Sequence, residues 1–347
     1  MLNLITSRSM TDHRRTPDRS HDFDALTPEI IFGVVESAGF VPSGSLNALN
    51  SYENRVYEIP LDNAPALIAK FYRPRRWSPK QIDEEHRLTL HIQRSGVAVV
   101  APLALKRAVS GCAALGRAGT YHYVLFPRAC ARMESEITDA RRSALGSAIG
   151  KMHAACAAFT ACHRIEINPK TYGWDSLAGI LDKTYAPEDM NDHLEAALTD
   201  ALDTAGQYYR QGLRLQLVHG DLHPGNILWD AKGPVFVDFD DSAFAPVVQD
   251  LWMLCSGNSL EVKSQQKILT ESYRGFAPFD QAEFALVEAL RTLRVIRHAA
   301  WIGERYGEPA FTRAFPYYTE RRYWEATPRA CCSCRSAPST RRGRACV

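Results

Sequence analysis

An α+β fold in two lobes, a small antiparallel sheet followed by a mostly helical unit, is predicted by three observations. Short runs rich in β-branched and aromatic residues recur between 55 and 127, helical apolar spacing takes over from about 135, and two short strand-like runs interrupt the helices between 216 and 240. A chain of 347 residues with 46% hydrophobic composition can fill a large core, and its length suits a bilobal unit.

The elements follow in order. Thr27-Pro28 opens the first helix, with threonine as cap, proline at the first helical position and Gly39 just past the end. "RVYEI" and "ALIAKFY", separated by "PLDNAP", read as a hairpin with a long turn. Ser78-Pro79 caps a second helix that runs to about Arg94 and is closed by Gly96. Strand-like runs near 97–107 and at "YHYVLFP", stopped by Pro127, complete the first lobe. Beyond it, Leu145, Ile149 and Met152 recur at helical spacing, as do Leu194, Leu198 and Leu202. "NILW" and "PVFVDFD" are strands joined by "DAKG", and helices return with "QDLWML" and "FALVEALRTLRVIRHAAWIGERY". The predicted organisation is a tail over 1–24, a first lobe over 25–128, a helical lobe over 129–325, and a disordered or non-native tail over 326–347. Met10 is an alternative start. A cleft between two such lobes is a usual place for a ligand.

Composition excludes several classes. No run of eighteen apolar residues exists, so no membrane association is expected, and the apolar patch at the start is too short for a secretory signal. The last 21 residues hold five arginines and no acid, so the formal charge of +2 becomes 2 − 5 = −3 for everything before them; a nucleic-acid role is not expected. Nine cysteines without paired spacing point to a reduced, cytoplasmic protein. Cys331, Cys332, Cys334 and Cys346 cluster at the end, but no histidine lies near them to complete a zinc site.

The chemistry concentrates in "LVHGDLHPGNILWD". Asp221 and Asn226 lie five apart across a Pro-Gly loop, and Asp238 follows twelve residues later. Protein kinases place a catalytic aspartate, a metal-binding asparagine and a metal-binding aspartate in this order. Magnesium prefers hard oxygen ligands, which Asn226 and Asp238 offer for a nucleoside triphosphate, while Asp221 is left to accept a proton from the attacking hydroxyl. A cation for the phosphates is also needed. Lys70 in "ALIAKFY" shares a strand face with Ile68 and Tyr72, and Glu85 lies on the inward stripe of the next helix with Ile82, Leu88 and Ile92. Glu84 is turned about 100° away.

These motifs resemble those of the bacterial kinases with the aminoglycoside phosphotransferase and choline kinase fold, whose signature is HGDxxxxN followed by a strand ending in a metal-binding aspartate. "LNSYENRVYEI", "KFYRPRRWSPKQIDEEH", "GNILWD", "FVDFDD" and "VQDLWML" resemble a Ser/Thr protein kinase branch of that family, from about Thr27 to Trp324. The resemblance implies a bilobal protein-kinase-like fold and use of ATP and Mg²⁺. It implies Asp221 as proton acceptor, Asn226 and Asp238 on the metal, Lys70 on the phosphates with Glu85 as its partner, and Ser51 close to the nucleotide. It further implies stress response, a cytoplasmic monomer and a protein hydroxyl as acceptor. Two departures stand out: "FPRACARMES" replaces the family's Gly-Gly turn after the hinge, and the residues after Trp324 do not continue its last helix.

Other readings remain open. Only twelve residues separate Asp238 from Asp250, too few for a long regulatory segment, which also suits kinases of a small alcohol such as an aminoglycoside, choline or a sugar. A nucleotide-binding pseudokinase scaffold is a third possibility. His219, Asp221 and His223 on one strand would put three ligands on one face, as in a metal hydrolase. His219 is otherwise a brace of the loop, Asp250 a helix cap that anchors the loop, and His153 a packed residue. Asp240 and Asp241 are either solvated turn residues or helpers of the metal. Arg291, Arg294 and Arg297 read as a solvated helix face, with attraction of an acidic substrate as the second reading.

Overall fold

The computed structural model describes residues 22–183, 185–209 and 213–331. The first lobe begins with α1 (Pro28–Ser37), whose Ile31, Val34 and Val35 bury against an antiparallel sheet through Ile59, Leu67 and Phe71. Thr27 stands at the N-cap position, although its side chain makes no capping bond to the backbone. The sheet contains β1 (Asn47–Leu49), β2 (Arg55–Leu61), β3 (Ala64–Phe71), β4 (Gly116–Ala118) and β5 (Tyr121–Pro127), in the order β1-β2-β3-β5-β4.

The expected hairpin forms, but with a shorter turn. Leu61 pairs with Ala64, so only Asp62 and Asn63 lie outside the ladder, and Asn63 takes φ 60°. Asparagine tolerates that left-handed conformation, which lets the strands extend into "PLDNAP". Ser78 caps α2 (Pro79–Arg94) through a capping box with Gln81. The stretch 97–107 adds no strand. Val99 makes one bridge to Phe236, and Leu103 N–H donates to Leu125 O at 2.8 Å, so this segment ties the lobes together without extending the sheet.

The second lobe packs α3 (Asp139–Ala157), α4 (Asp175–Lys183), α5 (Asn191–Tyr209), α6 (Ser259–Tyr273) and α7 (Val287–Arg305). Leu145, Ile149 and Met152 are all fully buried, as are Leu198 and Leu202. Close contact of α3 with α6 depends on two small residues one turn apart: a Cβ on Gly146 would lie 2.3 Å from Leu269 O, and one on Gly150 2.6 Å from Tyr273 O. The interrupting strands are β7 (Ile227–Asp230) and β8 (Gly233–Phe236), a hairpin, while β6 (Gln216–Val218) pairs with β9 (Ala243–Ala245).

"QDLWML" forms short 3₁₀ turns in place of the expected helix, so Asp250 caps no helix. The lobe ends with α8 (Pro309–Ala314) and α9 (Arg321–Cys331). Residues 326–331, expected to belong to a tail, lie in α9. Helix α9 continues past Trp324, because Thr327, Pro328 and Cys331 bury against the lobe. Met10, Cys332, Cys334 and Cys346 lie outside the described residues. Among the described residues, no helix is long and apolar enough to cross a membrane.

Candidate active site

After β6 the chain leaves its strand at His219, and the next residue reverses its direction. Gly220 has φ 86°, and a Cβ there would meet Asp241 O at 2.1 Å, which accounts for glycine at this point of the motif. Asp250, fully buried, holds the loop from below. Its carboxylate accepts the N–H groups of His219 at 2.7 Å and Gly220 at 2.9 Å, and is itself braced by His153 Nε2 at 2.9 Å. Tyr273 donates to the other nitrogen of that ring at 2.9 Å, so His153 is packed in a buried relay. The reversal also separates the two histidines. His219 turns inward, with Nε2 2.9 Å from Val237 O, whereas Asp221 and His223 line the cleft, so the three do not share the face a hydrolase metal would need.

Asn226 is oriented by its own loop: Nδ2 donates to Asp221 O at 2.9 Å, which leaves the amide oxygen as its available acceptor. Asp238 lies just beyond β8 and takes φ 63°. Left-handed backbone on a non-glycine residue is uncommon and clusters at working sites. Asp221, Asn226 and Asp238 all line one cleft between the lobes with Lys70 and Ser51, a cavity of about 870 Å³. That volume lies in the range of ligand sites.

Lys70, on central strand β3, reaches across to the second lobe. Its ammonium donates to Asp238 Oδ1 at 2.8 Å and to Asp240, with Glu85 Oε1 farther away at 3.9 Å. Burial opposes the charge on this amine, yet the carboxylates of Asp238, Asp240 and Glu85 prevail and hold it protonated well above the ordinary lysine range. The predicted Lys70–Glu85 proximity is present, but Asp240 is the nearer partner. Asp240 is no solvated turn residue: it is 4% exposed, takes a bond from Asn54 Nδ2 at 2.7 Å, and is kept ionised by Lys70 and Arg76 against the cost of burial. Burial and the neighbouring Asp240 charge push Glu85 well above the ordinary carboxylate range. Glu84 is buried too, accepting the N–H groups of Cys162 and His163, each at 2.7 Å.

The loop 50–54 roofs the cleft. Ser51 lines it, and its Oγ accepts Asn54 N–H at 3.4 Å, so this hydroxyl also shapes the turn. Glu53 was not singled out by sequence, yet it ties the loop to Arg76 at 2.6 Å and Arg73 at 3.2 Å in its own lobe and to Arg305 at 2.8 Å and Trp301 Nε1 at 2.5 Å in the other. Burial raises its pKa, but the three guanidinium groups outweigh it and lower the value to about 2. Asp241 pairs with Arg76 at 2.6 Å. The solvated reading of the arginine row fails for Arg294, whose Nη1 donates to Asp221 Oδ1 at 2.5 Å. A row of i+3 arginines identifies a helix face but not what stands opposite, so only the tertiary structure reveals this contact.

The donor set fits a hard divalent cation. Asp238 faces the cleft with Lys70 bonded to Oδ1, and the Asn226 amide oxygen is oriented by its own N–H donor; a carboxylate and an amide oxygen beside phosphates are what Mg²⁺ takes.

Residues 45–301 match the family model described as "Phosphotransferase enzyme family" (APH). Stress response kinase A of Salmonella paratyphi A is 35% identical over 308 residues, covering 89% of this chain and 92% of the relative. The Serine/threonine protein kinase RdoA of Salmonella typhimurium matches at the same identity and coverage, and stress response kinase A of Escherichia coli K12 is 34% identical over 87% of this chain and 90% of its own. Among solved structures, amicoumacin kinase hAmiN, in complex with AMP-PNP, Ca²⁺ and Ami, shares the fold with a TM-score of 0.66 at 19% identity, over 87% of this chain and 94% of that one. A microcompartment-associated aminopropanol kinase gives 0.64 at 20% identity, over 86% and 98%. The bilobal kinase-like fold, the cleft and the relatives agree, and the chain belongs to the APH phosphotransferase enzyme family, alongside the stress response kinases A.

Proposed function

We propose that this chain is an ATP- and Mg²⁺-dependent Ser/Thr protein kinase that acts in stress response in the cytoplasm. The observation that carries the reading is the convergence of Asp221, Asn226 and Asp238 from one lobe and Lys70 from the other on a single cleft. Relatives at 33–35% identity named as stress response or Ser/Thr protein kinases support the acceptor class, and the thiols of Cys112, Cys130, Cys156, Cys162 and Cys255, which form no disulfide, suit a reducing compartment.

In this mechanism ATP lies under the loop 50–54, with Lys70 donating to its phosphates. Asp238 and Asn226 would hold Mg²⁺, which would supply charge neutralisation on the triphosphate. Asp221 accepts the proton of the acceptor hydroxyl as its oxygen bonds the γ-phosphorus, and the bond from that phosphorus to the bridging oxygen of ADP breaks. Ser51 contributes at the nucleotide, and Glu85 steadies Lys70 from α2.

The short connection from Asp238 to Asp250, folded back as β9 on β6, favours a second reading in which the acceptor is a small alcohol. One experiment separates the two. Purified protein is incubated with γ-labelled ATP and Mg²⁺ against generic protein substrates and against aminoglycosides, choline and sugars. Label on protein Ser or Thr supports the kinase reading, and label only on small alcohols defeats it. Asp221→Asn should reduce transfer by roughly 10²–10⁴ while ATP still binds; a variant with undiminished transfer would refute the assigned role.

A further inference from the structure

Asp221 does not meet the cleft alone. One of its two carboxylate oxygens is taken by Arg294 Nη1, so the base that would receive the acceptor's proton is partly covered. A guanidinium has five N–H donors, and on Arg294, which is 40% exposed, one is spent on this bond. Arg297 lines the same cleft and is loosely held, with Nη1 3.7 Å from Glu304 Oε1 and the guanidinium 5.8 Å from the Tyr172 ring. Arg294 and His298 also line a second groove of about 360 Å³, together with Arg291, Trp252 and Tyr323. Arg291 is in turn 3.5 Å from Glu288. Arg294 and His298 thus belong both to the cleft and to a groove between α7 and α9, on a rim where Arg294 holds Asp221 while Arg291 and Arg297 have Glu288 and Glu304 at or beyond hydrogen-bond reach.

Resting on the protein-kinase reading above, we propose that Arg294 and Arg297 select the acceptor: a Ser or Thr flanked by Asp or Glu in an extended peptide. The flanking carboxylate draws Arg294 away from Asp221 into a new charge-assisted pair, and the freed Asp221 oxygen takes the hydroxyl proton. A neutral acceptor leaves Arg294 on the base, and a cationic one is repelled by the rim. Arg294 is thus both a specificity determinant and a cover over the base. The open groove gives the residues beside the acceptor a place to lie, which a small alcohol does not require.

The test uses full-length protein, γ-labelled ATP and Mg²⁺ with three sets of Ser peptides, flanked by Glu, by neutral residues or by Lys. Wild type should favour the acidic set by about tenfold in kcat/KM, the scale of one charge-assisted bond, and the preference should shrink as salt rises. Arg294→Ala should flatten the preference and raise kcat on neutral peptides, because Asp221 is uncovered. Arg294→Glu should shift preference toward the Lys set, and Arg297→Ala should raise KM for acidic peptides with little change in kcat. Equal use of all three sets by wild type, or an acidic preference surviving in the Arg294 variants, overturns this inference while the protein-kinase reading stands. No label on any peptide or protein, with label on small alcohols, overturns that reading itself. Nucleotide-dependent thermal protection reports whether each variant folds, and if none does, the wild-type preference alone decides.

Discussion

Removing the charge of Glu53 tests whether the roof of the cleft is held by electrostatics. This carboxylate joins loop 50–54 to Arg73 and Arg76 of its own lobe and to Arg305 and Trp301 of α7. Its side chain is 14% exposed, and its pKa falls from 4.5 to about 2. At 1.36 kcal/mol per pKa unit, that shift corresponds to about 3 kcal/mol of stability from the ionised form. The Glu53→Gln variant should lose about that much at pH 7 and no more, because Arg73 keeps Glu308, Arg76 keeps Asp241 and Arg305 keeps Glu304. The sign follows from the depressed pKa: the contribution is fully present above 4.5 and is lost as pH falls toward 2. Urea denaturation at pH 7 should therefore show a midpoint lower by roughly 1 M, taking a slope of about 3 kcal/mol per M. The gap between variant and wild type should narrow steadily between pH 4.5 and pH 3. A loss below about 1 kcal/mol at pH 7, or one that stays constant with pH, would refute an ionic tie and leave only packing.

Two further outcomes follow from the same geometry. Lys70→Met leaves Asp238 and Asp240 without their nearest cation; it should cost about 3–5 kcal/mol at pH 7, with part of the loss recovered as pH falls and the carboxylates take up protons, and denaturation across acidic pH checks it. Gly220→Ala forces a Cβ to within 2.1 Å of Asp241 O at φ 86°, so it should abolish transfer or folding, whereas Gly33→Ala, with open space at its Cβ, should be tolerated in both activity and thermal melting.

Asp221, Asn226 and Asp238 were legible because they sit within eighteen residues of one another on a loop and hairpin whose turn chemistry is local. Lys70 was legible from strand alternation. The same local reasoning failed where the partner is distant in sequence. Asp240 looks like a spare acid in "DFDD", and its role comes from Lys70 and Asn54, 170 and 186 positions away. Helical phase separated Glu84 from Glu85 correctly, but α2 is covered on more than one side, so both are buried. The stretch 97–107 has strand composition without a strand ladder, since its backbone bonds are spread over Phe236, Leu125 and Ala113. The residues after Trp324 lack an apolar period in the sequence, yet burial of Thr327, Pro328 and Cys331 against the lobe carries α9 to Cys331.

The closed arrangement of the lobes rests on two ionic systems that cross the cleft at different places. One groups Lys70 with Asp238, Asp240 and Glu85; the other groups Arg73, Glu53, Glu308 and Arg305 at the side of the loop. Buried ion pairs give back in attraction much of what they lose in desolvation, so their net stabilisation is small compared with apolar burial. Their effect is on geometry, because the cross-lobe pairs Lys70–Asp238, Lys70–Asp240 and Glu53–Arg305 form only with the lobes in this arrangement. The two systems differ in one respect that bears on turnover. Glu53 faces three guanidinium groups, whereas Lys70 is bonded to Asp238, the carboxylate proposed above to hold the metal. If the proposed function holds, a nucleotide with its metal would compete for Asp238 in the first system and would leave the Glu53 contacts of the second in place.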